Sequence, residues 1–155
     1  MHPSRVASLA LGLVVIVRGT PALGDDKAVQ AELKKQQGTW TATSSIYEGQ
    51  AFPAELARTI QRIVEGDHVV WKRNGKSFAG TKIVLDPASK PKAIDVIPDG
   101  GPNRDKCVLG IYKIEGHKLT ICMASPDKPR PTEFKAEKGS GWTLRTFIRE
   151  KPTAK

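Results

Sequence analysis

From residue 39 onward, short runs of β-branched and aromatic residues recur along the chain, each bounded by Gly, Asp, Asn or Pro. This punctuation constrains the fold more than any other feature, because it leaves no connection long enough for the helical crossovers that parallel strands require. The runs predict strands at 39–47, 60–64, 68–73, 77–85, 93–97, 107–114, 118–124, 132–136 and 142–149. In the first, Trp40, Ala42, Ser44 and Ile46 alternate with Thr39, Thr41 and Thr43, the period of two of a half-buried strand. Asn74-Gly75 and Glu115-Gly116 read as two-residue hairpin turns in which Gly supplies a positive φ, and Glu65-Gly66-Asp67 reads as a further turn. The fold class is therefore all-β: an antiparallel meander of about 8–9 strands that closes into a barrel or packs as a sandwich. Acids at the start of 25–36 and lysines at its end match a helix dipole and predict a short leading helix. Pro53 opens a second short helical piece over 53–57.

With 155 residues, 39% hydrophobic and 26% charged, the chain holds one domain, placed at 37–150 with a tail at 151–155. Residues 1–24 read as a cleaved signal peptide. Arg5 precedes an apolar run at 6–17, too short to span a bilayer, and Ala22-Leu23-Gly24 puts small residues before a cut at Asp25. The expectation is export to a periplasmic or extracellular location, with no transmembrane span after cleavage. Export makes Cys107 and Cys122 candidates for a disulfide. With Glu115-Gly116 as the turn, Cys107 faces Ala124 and Cys122 faces Leu109, which puts the two sulfurs on one face but diagonal, at about 7–8 Å. A pair of buried, inert thiols is the other reading.

The stretch Gly110-Ile111-Tyr112-Lys113-Ile114-Glu115-Gly116-His117-Lys118-Leu119-Thr120-Ile121-Cys122 is preceded by Pro91-Lys92-Ala93-Ile94-Asp95 and followed by Arg130-Pro131-Thr132-Glu133-Phe134. Together these motifs resemble an uncharacterised family of exported domains abundant in planctomycete bacteria. The resemblance spans 36–149 and implies a lipocalin-like β-barrel and an exported address, with no activity attached. Cys107 lies outside its pattern. Gly38-Thr39-Trp40 is similar to the Gly-x-Trp signature of lipocalins. That likeness implies that Trp40 closes one end of the barrel under a cation from the last strand, Arg149, or Arg145 if the strand is shifted.

Catalytic templates do not fit. Outside the signal segment the only histidines are His68 and His117, and neither a Cys-x-x-Cys spacing nor a Gly-rich phosphate cradle occurs, so no metal and no cofactor is expected. Asp95 lies within Ala93-Ile94-Asp95-Val96-Ile97, where a charge is costly unless it is paired or faces solvent, and Arg130, held between Pro129 and Pro131, is its natural partner. An enzyme would need Asp95, Arg130 and Glu133 together in a cleft. The formal charge of +9 falls to +7 without Arg5 and Arg18, and its cations are scattered among acids. With three Trp, two Tyr and four Phe, the chain lacks the interleaved aromatics of a nucleic-acid surface, so no sequence-specific nucleic acid is expected as a partner. Trp71, Phe78, Tyr112 and Phe134 are expected to point inward, where they line a cavity or fill it. The first functional reading is a monomeric exported barrel that binds a small, partly apolar ligand between those four side chains. The second is an interaction domain whose basic surface docks onto an acidic cell-envelope polymer.

Overall fold

The computed structural model describes residues 23–152. Its elements, in chain order, are α1 (Leu23–Gln36), β1 (Gly38–Tyr47), β2 (Gln50–Ala51), α2 (Ala54–Ala57), β3 (Ile60–Glu65), β4 (His68–Arg73), β5 (Lys76–Asp86), β6 (Ala93–Pro98), β7 (Val108–Glu115), β8 (Lys118–Met123) and β9 (Thr143–Arg149). The apolar run at 6–17, on which the signal-peptide reading rests, lies outside the described residues. β1 pairs antiparallel with β3, every strand from β3 to β8 pairs antiparallel with its successor, and β9 pairs back onto β1, so eight strands close into a lipocalin-like barrel. The short β2 is an addition, paired only with the end of β1. Closure removes the exposed edges that an open sheet of this length would present.

Tight turns set the register. Asn74 and Gly75 both take a positive φ, 50° and 76°, as a type I′ hairpin requires. At the β7–β8 hairpin only Gly116 does so, at 62°, and it occupies the first central position of a two-residue turn, the pattern of type II′. The turn is therefore Gly116-His117 rather than Glu115-Gly116. Glu115 pairs with Lys118, and Cys122 faces Ile111 instead of Leu109.

The candidate disulfide does not form: both cysteines are free. Cys107 precedes β7 and is exposed, whereas Cys122 is buried and its thiol donates to the carbonyl of Lys135 at 3.1 Å. The covering segment includes 132–136, where the sequence predicts a strand and none forms. Pro129 and Pro131 remove two backbone donors, and the polar groups of the segment go elsewhere: the Ala136 carbonyl accepts from Gly49 N–H at 2.6 Å.

The end of the barrel below α1 is closed and solid. Trp40, Val64, Val69, Tyr112 and Leu119 are buried there. Trp40 donates its indole N–H to the Gln36 carbonyl at 2.8 Å, and the Arg149 guanidinium lies 4.3 Å from the centre of its ring. Arg149 also donates to the carbonyls of Gln37 and Lys35, both at 2.5 Å, which ties β9 to the end of α1. Gly38 makes this junction at φ 106°, a conformation costly for any other residue. Further along α1, the buried Glu32 carboxylate accepts from Lys35 at 2.7 Å, Lys92 at 2.9 Å and the Tyr112 hydroxyl at 3.0 Å. Burial raises the pKa of Glu32, but those three donors outweigh it and leave the carboxyl below its ordinary value.

Candidate functional site: the barrel cavity

Above the Trp40 layer, β1 turns small side chains inward: Ala42 and then, past a register shift between Ala42 and Ser44, Ser45. The two neighbours of β1, strands β3 and β9, each carry an arginine that lines the interior. Arg62 lies on β3 beside Trp40 on one side and Trp71 on the other, and Arg145 lies on β9 opposite Ser45. Arg62 and Arg145 both belong to the lining of the barrel interior.

The interior holds a cavity of about 270 Å³. Its apolar wall comes from Trp71, Ile83, Ile94, Val96, Ile121 and Phe147 and continues toward the open end with Pro98, Val108 and Met123. Gly110 permits this packing: a Cβ there would stand 2.4 Å from the Met123 sulfur and 2.8 Å from the Cys122 carbonyl oxygen. The polar lining consists of Thr81, Thr143, Arg62 and Arg145, with no Asp or Glu among the described residues.

The two arginines differ in how well they are satisfied. Arg62 is 1% exposed, and its Nη1 and Nη2 have no hydrogen-bond partner among the described residues. Burial alone pulls its pKa from the ordinary 12.5 down to about 9. Arg145 donates from Nε to the Ser45 hydroxyl at 3.3 Å, and its pKa is lowered first by burial and then by the charge of Arg73. A buried guanidinium without an acid is among the costlier arrangements a core can contain.

Of the four expected wall residues, only Trp71 lines the cavity. Its indole N–H donates to the Thr81 hydroxyl at 3.1 Å, and its ring stands 6.2 Å from that of Phe147 at 59°. Phe78 is on the outside, 55% exposed, with the Arg73 guanidinium 5.2 Å from its ring. The alternation along β5 explains this: Thr81, Ile83 and Leu85 are the buried positions, and Phe78 has the opposite parity. Tyr112 does point inward but belongs to the solid closed end, where its hydroxyl is committed to Glu32. Phe134 lies in the loop outside the barrel, with the Lys113 ammonium 5.1 Å from its ring.

The acids gather no cleft. Asp95 faces outward between the inward Ile94 and Val96 and pairs with Arg130 at 2.6 Å, and Arg130 also donates to the carbonyls of Gly110 at 2.7 Å and Ile94 at 3.1 Å. This arrangement pins the 124–142 loop to the barrel wall. Glu133 is bound to Lys135 instead, at 3.3 Å, and is exposed. His68 pairs with Asp99 on the surface. Among the described residues, no group of three or more His, Cys, Asp or Glu is arranged to hold a metal ion. Some exterior lysines are met by acids, as in Lys106 with Asp127 at 2.7 Å and Lys82 with Asp67 at 3.5 Å.

Sequence reasoning singled out Arg145 only as an alternative cap for Trp40 and overlooked Arg62. A signal for Arg62 exists in the sequence, since it shares strand parity with Ile60 and Val64, which places a cation on an apolar face. Among the described residues no helix is long and apolar enough to cross a membrane. No protein-family model matches the chain, and no curated protein matches it.

Proposed function

We propose that this protein is an exported, lipocalin-like carrier that holds a small, partly apolar ligand inside its barrel. The observation that carries the reading is the division of the interior into two layers. The lower layer, around Trp40 and Tyr112, is packed solid, and the upper layer encloses about 270 Å³ behind mainly apolar walls. Residues needed only for stability would fill both layers, because an unfilled interior forfeits packing energy. The size falls just below the usual span of ligand pockets, about 300–1,000 Å³, and suits a small guest. The resemblance to exported planctomycete domains supports the same address. Docking onto an acidic envelope polymer is the weaker reading, since exterior lysines such as Lys82, Lys106 and Lys135 are already paired with acids of the chain.

Thermal unfolding measured with a panel of small apolar and amphipathic compounds tests the proposal. A guest that binds only the folded barrel raises the midpoint in a concentration-dependent manner, and Trp71 fluorescence should change with it. A panel that leaves both signals unmoved would remove the carrier reading.

A further inference from the structure

The geometry points to a carboxylate as the head group of the guest, gripped by Arg62 and Arg145 within the barrel. This inference rests on the carrier reading above and specifies what is carried.

Three observations converge on it. First, Arg62 is 1% exposed, lines the cavity, and offers Nη1 and Nη2 to no acceptor among the described residues. Second, Arg145 lines the same cavity from β9, and among the described residues it donates only from Nε, to Ser45. Third, among the described residues no acidic side chain lines the space, so two cations share it without compensation from the lining. A guanidinium presents its donors in a planar fork that matches a carboxylate, and the match is strongest where water is excluded. An anion entering the cavity therefore satisfies donors that the fold leaves unmet.

The remainder of the lining sets the body of the guest. Ile83, Ile94, Val96 and Met123 are apolar, and the polar side chains beyond the arginines are the hydroxyls of Thr81 and Thr143. A sugar or nucleotide would lose more hydrogen bonds on entry than these walls return. At roughly 30 Å³ for each water-sized group, the 270 Å³ cavity holds about nine non-hydrogen atoms. Octanoate is close to that size and palmitate is well beyond it.

Calorimetric titration of the purified protein with sodium octanoate, 1-octanol and octylamine tests the inference. A hydrogen-bonded charge is worth ~10–100-fold in affinity, so octanoate should bind by about that factor more tightly than 1-octanol, with octylamine weakest. Arg62→Met should remove most of the octanoate advantage over 1-octanol, with a cooperative urea transition reporting that the barrel is still folded. Arg145→Met should do so independently, so that a folding failure of one variant leaves the other to decide. If 1-octanol and octanoate bind equally well, or if both variants retain the full preference, the carboxylate inference is overturned while the carrier reading stands. If none of the three compounds binds, the carrier reading falls and takes the inference with it.

Discussion

Removing Glu32 is the sharpest test of how α1 closes the barrel. Its carboxylate accepts from two half-exposed lysines and from one buried hydroxyl, and these partners respond differently to its loss. In a Glu32→Ala variant, Lys35 and Lys92 can turn to water, so each contributes only a few tenths of a kcal/mol, roughly the value of an exposed ion pair. The Tyr112 hydroxyl is 1% exposed and has no such recourse. Leaving it unpaired costs about 1–3 kcal/mol. The sum predicts a loss of ~2–4 kcal/mol, measured as a shift in the urea midpoint at pH 7. Tyr112→Phe alone should cost roughly 1.5–3 kcal/mol, the value of a hydrogen bond to a charged group. The double variant carries no orphaned hydroxyl, so it should be less damaged than the sum of the singles by ~1–2 kcal/mol. The sign of the pH dependence follows from the lowered pKa of Glu32. A carboxylate of this kind contributes its stability in full above its unfolded value and loses it as the pH falls through its folded value. The Glu32→Ala penalty should therefore be greatest at neutral pH and shrink progressively below about 4.5. Strict additivity of the two single variants, or a penalty that grows toward acid, would refute this account of the closure.

Other expectations are simpler to state. Arg62→Met should stabilise the ligand-free protein by about 1–4 kcal/mol, since it replaces an uncompensated buried charge by an apolar chain of similar length; a lower urea midpoint would show that the guanidinium is already satisfied. Arg149→Met removes the cation over Trp40 together with two hydrogen bonds to α1 carbonyls, and should cost ~2–3 kcal/mol in chemical unfolding. Gly110→Ala should cost about 1–3 kcal/mol, because the Cys122 carbonyl that its Cβ would meet at 2.8 Å is backbone and cannot swing aside. A thiol reagent should label Cys107 quickly in the native protein and Cys122 only in denaturant; equal labelling of both, or of neither, would contradict the free exposed and buried thiols.

The meander was legible because its information is local. Turn residues and period-two alternation placed the barrel strands at 60–64, 68–73 and 77–85 within a residue or so of their ends. What failed depended on something outside the segment concerned. The stretch 132–136 has strand composition, but no strand is left unpaired beside it once β8 and β9 have met, so it serves as a cover for Cys122. Phe78 was placed inward because it is aromatic, yet its parity along β5 decides otherwise. The turn at Gly116 slipped by one residue because Glu-Gly and Gly-His both satisfy a rule that asks for one positive φ, and only the II′ geometry chooses between them.

The missed Arg62 shows how stability and binding share one barrel. A cation on an apolar face reads as a surface residue as long as each strand is considered alone; only closure of β9 onto β1 turns that face into an interior. Once closed, the fold holds Arg62 and Arg145 in the lining of one cavity, with Arg145 held by the Ser45 hydroxyl of β1. The cost of keeping them there falls on the lower layer, where Trp40, Arg149, Glu32 and Tyr112 join α1 to four different strands and loops. A barrel without that closure would have too little margin to hold an uncompensated charge, since whole domains are stable by only about 5–15 kcal/mol. Weakening the closed end should therefore lower the unfolding midpoint while leaving the preference between octanoate and 1-octanol intact, whereas altering Arg62 should do the reverse. A variant at Glu32 that changed the preference without changing stability would break this separation of roles.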